Sequence, residues 1–273
     1  MRLQQLLATL PLLPTTFSIP TLPPLANTTT IPSHFGLLVF PGFQALDVFG
    51  PLDVLNLLSL LYPNTTMALS ILSRTLDPVS TAIKGMHGAS DFGESVVPTI
   101  TLGDYLQRAN STETPAYAPP AAARNENTGR GDIQVLIVPG GMGTRVDVSE
   151  EIAFVKAVYP KLKYLISVCT GASILARSGI LDGRRATTNK KSWAWVTSTG
   201  PNVNWVPTAR WVEDGNIFSS SGVAAGIDAT YAWVSRVYGD EVAHFVSLNS
   251  EYERETHWDN DPFAKVWEVP GAV

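Results

Sequence analysis

Cysteine is nearly missing from this chain: Cys169 is the single thiol in 273 residues. An internal disulfide framework is therefore excluded, and so is a metal site built from several cysteines. Histidine is scarce as well. His34, His87, His244 and His257 are the four present, and no two are spaced as metal ligands, so no metal is expected. Charge is sparse, at 16% of residues, and tilts acidic, with a net charge of −5. Nothing here gives an electrostatic reason to meet a phosphate backbone, so nucleic acid is not an expected partner. Long apolar runs are missing too. Leu6 to Leu13 is too short to span a bilayer and contains Pro11, so no membrane association is expected.

Apolar surface is what the chain does have, at 45% of residues, enough for one large core. Arg2, the Leu6 to Leu13 stretch and the small residues Thr16 and Ser18 read together as a signal peptide over residues 1–18. Three Asn-x-Ser/Thr sequons, at Asn27, Asn64 and Asn110, fall in stretches that read as loops and fit a secreted glycoprotein. A cytoplasmic protein with a disordered N-terminus is the alternative. Residues 19–33 read as a Pro/Thr-rich linker, residues 34–256 as the folded domain, and residues 257–273 as a C-terminal tail. Residues 107–131 lose periodicity and read as a loop inserted within the domain.

Continuous apolar runs at 36–40, 67–72, 135–138 and 165–168 predict strands buried on both faces of a parallel sheet. Helical spacing occupies 45–61, with Pro51 predicting a start near Gly50, and a short helix is expected over 100–105. Ser149 is the expected N-cap of a helix over 149–159. Residues 210–219 read as a β-hairpin, and 223–238 and 240–252 as helices. Alternating strands and helices predict an α/β sheet covered on both faces, with the ligand crevice beyond the carboxyl ends of the strands.

Cys169 ends one of those strands and is followed by the small turn Thr170-Gly171-Ala172 and a helical pattern. A sharp strand-to-helix turn exposes an attacking atom, and N–H groups at a helix start favour thiolate. The bland alternative is a small buried hydrophobe. Gly140 and Gly141 end another strand, where the N–H of Gly141, with that of Thr170, is placed to hold a developing negative charge. Asp47 lies in the apolar Leu46-Asp47-Val48-Phe49 stretch. Burial beside Cys169 would raise its pKa and let it shuttle a proton.

Phe40-Pro41-Gly42, Leu46-Asp47-Val48-Phe49-Gly50-Pro51, Val138-Pro139-Gly140-Gly141, Val168-Cys169-Thr170-Gly171, the stretch Leu181 to Thr188 and the stretch Ser220 to Asp228 occur in order. Together they resemble the ThiJ/PfpI group of the class I glutamine amidotransferase-like superfamily, over residues 35 to 255. Within it the pattern is most similar to the isonitrile hydratase (cyclohexyl-isocyanide hydratase) branch. The resemblance implies a flavodoxin-like three-layer sandwich with a nucleophile-elbow cysteine, a homodimer, and no cofactor. It also implies a lyase-type activity in which Cys169 attacks the carbon of a small isonitrile. Asp47 would protonate that carbon and activate water, Thr170 would help position the group, and an N-substituted formamide would leave.

Two departures bear on the chemistry. Thr170 stands where peptidase-like and many glyoxalase-like members carry histidine after the cysteine, which argues against a Cys-His mechanism. Asn189 follows Ala186-Thr187-Thr188 where many relatives carry histidine. A glyoxalase- or deglycase-like enzyme and a non-catalytic redox-sensing or binding protein remain alternatives. Ser221 and Gly222 are expected to start a helix beside the site and to touch substrate. The pairs Arg184-Arg185 and Lys190-Lys191 read as a solvated face.

Overall fold

The computed structural model describes residues 19–26, 31–83, 92–110 and 131–272. The signal-peptide reading and most of the 107–131 insertion lie outside the described residues. Eleven strands are present among those described: β1 (His34–Leu38), β2 (Ala68–Ser73), β3 (Val79–Ser80), β4 (Ser95–Val96), β5 (Ile100–Thr101), β6 (Val135–Val138), β7 (Tyr164–Ser167), β8 (Arg185–Ala186), β9 (Asn204–Trp205), β10 (Trp211–Asp214) and β11 (Ile217–Ser220). Eight helices accompany them: α1 (Ala45–Leu61), α2 (Leu102–Asn110), α3 (Ser149–Val158), α4 (Ala172–Arg177), α5 (Trp193–Ser198), α6 (Ala225–Tyr238), α7 (Asp240–Asn249) and α8 (Phe263–Val266).

The main sheet has seven strands in the order β10-β11-β7-β6-β1-β2-β5. Every pairing is parallel except the β10–β11 hairpin, whose turn passes through Gly215 at φ +64°. Helices α1, α6 and α7 pack together on one face, and α2, α3 and α4 form a chain of contacts on the other. That double cover explains why β1 and β6 are buried at every position, with no polar alternation. It is the flavodoxin-like sandwich the motif order implied. Trp233 of α6 joins the layers, with edge contacts to Phe35 of β1 at 5.7 Å and to Tyr164 of β7 at 5.7 Å.

Several local readings change. Helix α1 starts at Ala45 and carries Pro51 inside it. Proline lacks the N–H that would bond four residues back, so the Asp47 carbonyl loses its ordinary helical partner. Ser149 does not cap α3; its backbone N–H instead bonds Asp147 Oδ1 at 3.0 Å, two residues earlier. Residues 100–101 form edge strand β5 and α2 runs on to Asn110, the first residue of that sequon. Exposed Asn64 lies in a 3-10 turn.

The C-terminal segment is structured, not a loose tail. The Trp258 carbonyl accepts Arg210 N–H at 2.7 Å and Trp211 N–H at 3.2 Å, and Ala264 is buried. The described parts of the 19–33 linker also pack down, with the Pro23 carbonyl accepting the Tyr62 hydroxyl at 2.8 Å. No helix among the described residues is long and apolar enough to cross a membrane.

Candidate active site

β7, β6 and β1 are neighbours in the sheet, so the chain segments leaving their carboxyl ends meet. After β1 the chain runs outward to β2 and β5, and only then returns to place β6 on the other side of β1. The gap between β1 and β6 is thus the point where the winding reverses, where open α/β sheets bind ligands. Asp47, from the helix after β1, bridges it: Oδ2 accepts the Gly140 N–H from the loop after β6 at 2.9 Å.

Cys169 sits on the third of these segments at φ +59°, in the left-handed region that a residue with a side chain seldom adopts. Neighbouring groups hold this strained turn in place. Its N–H donates to the Ser221 carbonyl at 3.1 Å, and its carbonyl accepts the Thr188 hydroxyl at 2.8 Å. The following Gly171 has no room for a side chain, since a Cβ would lie 2.4 Å from the Val138 carbonyl oxygen. The elbow is therefore a property of β6 and of the segments that follow β8 and β11 as much as of its own sequence.

Donors surround the sulfur. The Asn189 amide donates from Nδ2 to Sγ at 3.2 Å. Its orientation is fixed because Oδ1 accepts the Ser192 N–H at 2.9 Å, leaving Nδ2 to face the thiol. Backbone N–H groups of Thr170 and Val223 also act on the sulfur. Val223 has φ +45°, a second strained residue at the same place. Despite these donors, burial pushes the Cys169 thiol up to about 12, with the nearby Asp47 charge adding to the rise. The expectation that a helix start would favour thiolate is corrected here. Cys169 is only 4% exposed, and α4 beyond it has six residues, so desolvation outweighs the aligned amides.

Asp47 is fully buried, and burial raises it from the ordinary 3.8 to about 7. The Gly140 N–H and then the Cys169 thiol pull against that rise. Its Oδ1 has no hydrogen-bond partner among the described residues. An acid near 7 with a free oxygen beside a neutral thiol can both take and give a proton at physiological pH.

In the resting structure the two glycine amides are engaged by protein groups. Gly140 N–H is used on Asp47 and Gly141 N–H on Thr170 Oγ1 at 2.9 Å, so both amides hold protein groups rather than pointing into open space. Thr170 Oγ1 also lies 3.1 Å from Thr144 Oγ1. A Cβ on Gly140 would lie 2.5 Å from Thr170 N and 2.9 Å from Asp47 Oδ2, so only glycine lets the three loops close. Ser221 and Gly222 do not begin α6, which starts at Ala225. Ser221 supports the elbow through its backbone, and Gly222 makes room for Asn189, whose Nδ2 would lie 2.4 Å from a Cβ there. Asn189 and Val223 are the site residues that sequence reasoning did not place. Asn189 carried a faint signal as the departure from histidine; Val223 carried none, because a backbone donor leaves no mark in side-chain type.

Lys190 is a further correction. It is buried, not part of a solvated face, and pairs with Asp261 at 3.6 Å. Arg184 is half-buried and pairs with Asp214 at 3.2 Å, while Arg185 is exposed. Among the described residues no group of His, Cys, Asp and Glu is arranged to hold a metal.

Comparison with known proteins agrees with this fold. The model of the DJ-1/PfpI family matches residues 35–236. An isonitrile hydratase of Pseudomonas putida is 29% identical over 230 residues, 83% of this chain and 82% of that protein. The HTH-type transcriptional regulator GbdR of Pseudomonas aeruginosa is 32% identical over 123 residues, but these make up only 33% of its length. Among solved structures, a ThiJ/PfpI family protein from Pseudomonas syringae superposes with a TM-score of 0.61 at 26% identity, covering 88% of this chain and 84% of that one.

Proposed function

The chain belongs to the DJ-1/PfpI family, and from that premise we propose that it is a cysteine-dependent hydratase converting a small isonitrile to an N-substituted formamide. The observation that carries this reading is the buried Asp47 carboxyl, with one oxygen free, set beside a thiol that is followed by threonine rather than histidine. Kinship to a protein that is itself an isonitrile hydratase, over most of both chains, supports it.

The resting thiol is neutral, so the nucleophile has to be generated when substrate arrives. Asp47, as carboxylate, accepts the Cys169 proton, and the sulfur attacks the terminal isonitrile carbon. Asp47 then returns that proton to the same carbon, which leaves an S-linked thioformimidate. Asp47, again a carboxylate, takes a proton from water while the oxygen adds to the carbon, and the proton passes to nitrogen. Collapse of the adduct expels sulfur, which recovers its proton from the hydroxyl through Asp47. The sum is one isonitrile and one water consumed and one formamide released. The donors from Asn189, Thr170 and Val223 favour sulfur as it gains charge in the attack and again as it leaves. Thr170 holds the loop of Gly141 against Asp47 and the elbow.

The test is to supply cyclohexyl isocyanide and follow N-cyclohexylformamide. Turnover by the native chain that disappears in Cys169→Ala is the expected result. An inactive native chain, or an active Cys169→Ala variant, removes the reading. An inactive native chain whose Cys169 is oxidised by low peroxide, seen by intact mass, would favour the redox-sensing alternative. We also propose a homodimer, checked by sedimentation, and a secretory leader over residues 1–18, checked by the N-terminal sequence of protein recovered from its host.

A further inference from the structure

The buried Lys190–Asp261 pair has no part in the chemistry set out above. Lys190 Nζ lies 3.6 Å from Asp261 Oδ2, with side-chain exposures of 1% and 0%. Nζ also donates to Thr187 Oγ1 at 2.7 Å, to the Ala209 carbonyl at 2.7 Å and to the Thr188 carbonyl at 3.5 Å. The Trp193 ring lies 5.0 Å away. Asp261 is held through its other atoms: Oδ1 accepts the Phe263 N–H at 3.1 Å and its own N–H donates to the Thr208 carbonyl at 3.2 Å, while Oδ2 has no hydrogen-bond partner among the described residues and meets the ammonium by charge alone.

A buried ion pair gives up so much hydration that a well-packed apolar pair of similar size is often as stable. Stability alone therefore does not account for it. Its position does. The residue before Lys190 is Asn189, which touches the Cys169 sulfur, and the one before that is Thr188, which binds the Cys169 carbonyl. Thr187, whose hydroxyl receives the ammonium, also donates its N–H to Ser219 Oγ at 3.0 Å on β11, the strand beside β7. Lys190 thus fastens Thr187 and Thr188 directly, from inside the protein, and Asn189 is held in the chain between Thr188 and Lys190.

We propose that the Lys190–Asp261 pair is a positioning device for the thiol, fastening residues 187–189 so that the Asn189 amide stays aimed at the Cys169 sulfur. By this account the C-terminal segment, far along the chain from Cys169, sets the environment of the reacting atom. The proposal rests on Cys169 being that atom, but its test reads the sulfur directly and needs no isonitrile.

The experiment measures the rate at which methyl methanethiolsulfonate modifies Cys169 at pH 8, in four proteins. They are the wild type, Asn189→Leu, the paired variant Lys190→Met with Asp261→Leu, and all three changes combined. The paired variant removes both charges together, so no lone buried charge is left. Asn189→Leu is expected to slow modification about tenfold, the loss of about one pKa unit of thiolate support. The paired variant is expected to slow it by a similar factor, and the combined variant to be no slower than Asn189→Leu alone. A paired variant that is folded yet reacts at the wild-type rate overturns the proposal. So does a combined variant whose losses multiply, because that places the pair's effect outside Asn189. Should the paired variant fail to fold, Asp261→Asn replaces it, with slowed modification supporting the proposal and a wild-type rate overturning it. A wild-type thiol inert to the reagent overturns the proposal, because the resting protein then gives the sulfur no support for the pair to hold; it does not bear on a nucleophile generated by substrate. A reactive wild type with indifferent variants removes the positioning role alone.

Discussion

Cys169 and Asp47 show how little of a side chain's chemistry its type determines. The same carboxyl that would titrate near 3.8 in water titrates at about 7 in this crevice, because burial strips its hydration. The sign for stability follows. Between about 4 and about 7 the folded chain keeps a proton that the unfolded chain has released. Stability therefore declines as pH rises through that window, by roughly 4 kcal/mol in all. Asp47→Asn, which can still accept the Gly140 N–H, is expected to abolish the decline. Urea denaturation at pH 5 and pH 8 measures it, and equal pH dependence in both proteins would sink the claim. A second expectation concerns Gly222. The atom a new Cβ would strike is the end of the Asn189 side chain, not backbone. Gly222→Ala should then fold almost normally while losing the sulfur's donor, lowering turnover about 10- to 100-fold. An unchanged rate would show that Asn189 does not act on the reacting sulfur. Both Cys169 and Asp47 were legible in the sequence, as a lone thiol at a turn and an acid in an apolar stretch. Asn189 was legible only as an anomaly, since its contact depends on a residue twenty positions away.

At the scale of elements, the buried strands were readable because two-sided burial leaves no polar alternation to blur them. Ends were harder. Pro51 signals a helix start by its missing N–H, yet α1 begins six residues earlier and carries the proline inside. Tertiary packing of Val48, Val54, Leu55 and Leu58 outweighs one lost hydrogen bond. That extension matters to the site, because it puts Asp47 within a rigid helical turn rather than on a loop. The start of α3 shows the same lesson in small. Ser149 looks like the cap, but Asp147 receives the Ser149 N–H and also faces Arg74 at 3.5 Å. Asp147→Ala should destabilise the start of α3 more than Ser149→Ala does, since it removes the acceptor of the Ser149 N–H. Thermal or urea unfolding of the two variants checks this, and a larger loss for Ser149→Ala would reverse the assignment.

For the molecule as a whole, one sheet gathers residues from the full length of the chain. Asp47, Gly140, Cys169, Asn189 and Ser221 come from five segments that meet because β1, β6, β7 and β11 lie side by side. The C-terminal segment belongs to this unit. Removing residues 257–273 would strip Lys190 of its counter-charge and leave the Arg210 and Trp211 N–H groups without the Trp258 carbonyl. An orphaned buried charge alone costs about 3–5 kcal/mol, so the truncated chain should melt about 10 °C or more below the full chain, or not fold cooperatively. A truncated chain with an unchanged melting temperature would show the segment to be an appendage.

The sequence by itself determined the α/β class, the long buried strands, the order of the motifs and the two residues most suited to chemistry. Those are written in periodicity and in residue type, which are local. The tertiary structure alone decided that Cys169 rests as a thiol, that both glycine amides hold protein groups, and that Asn189 and Val223 serve the sulfur. It alone decided that Lys190 is buried on Asp261. Each of these depends on desolvation or on a hydrogen bond between distant segments, and neither exists until the sheet brings those segments together.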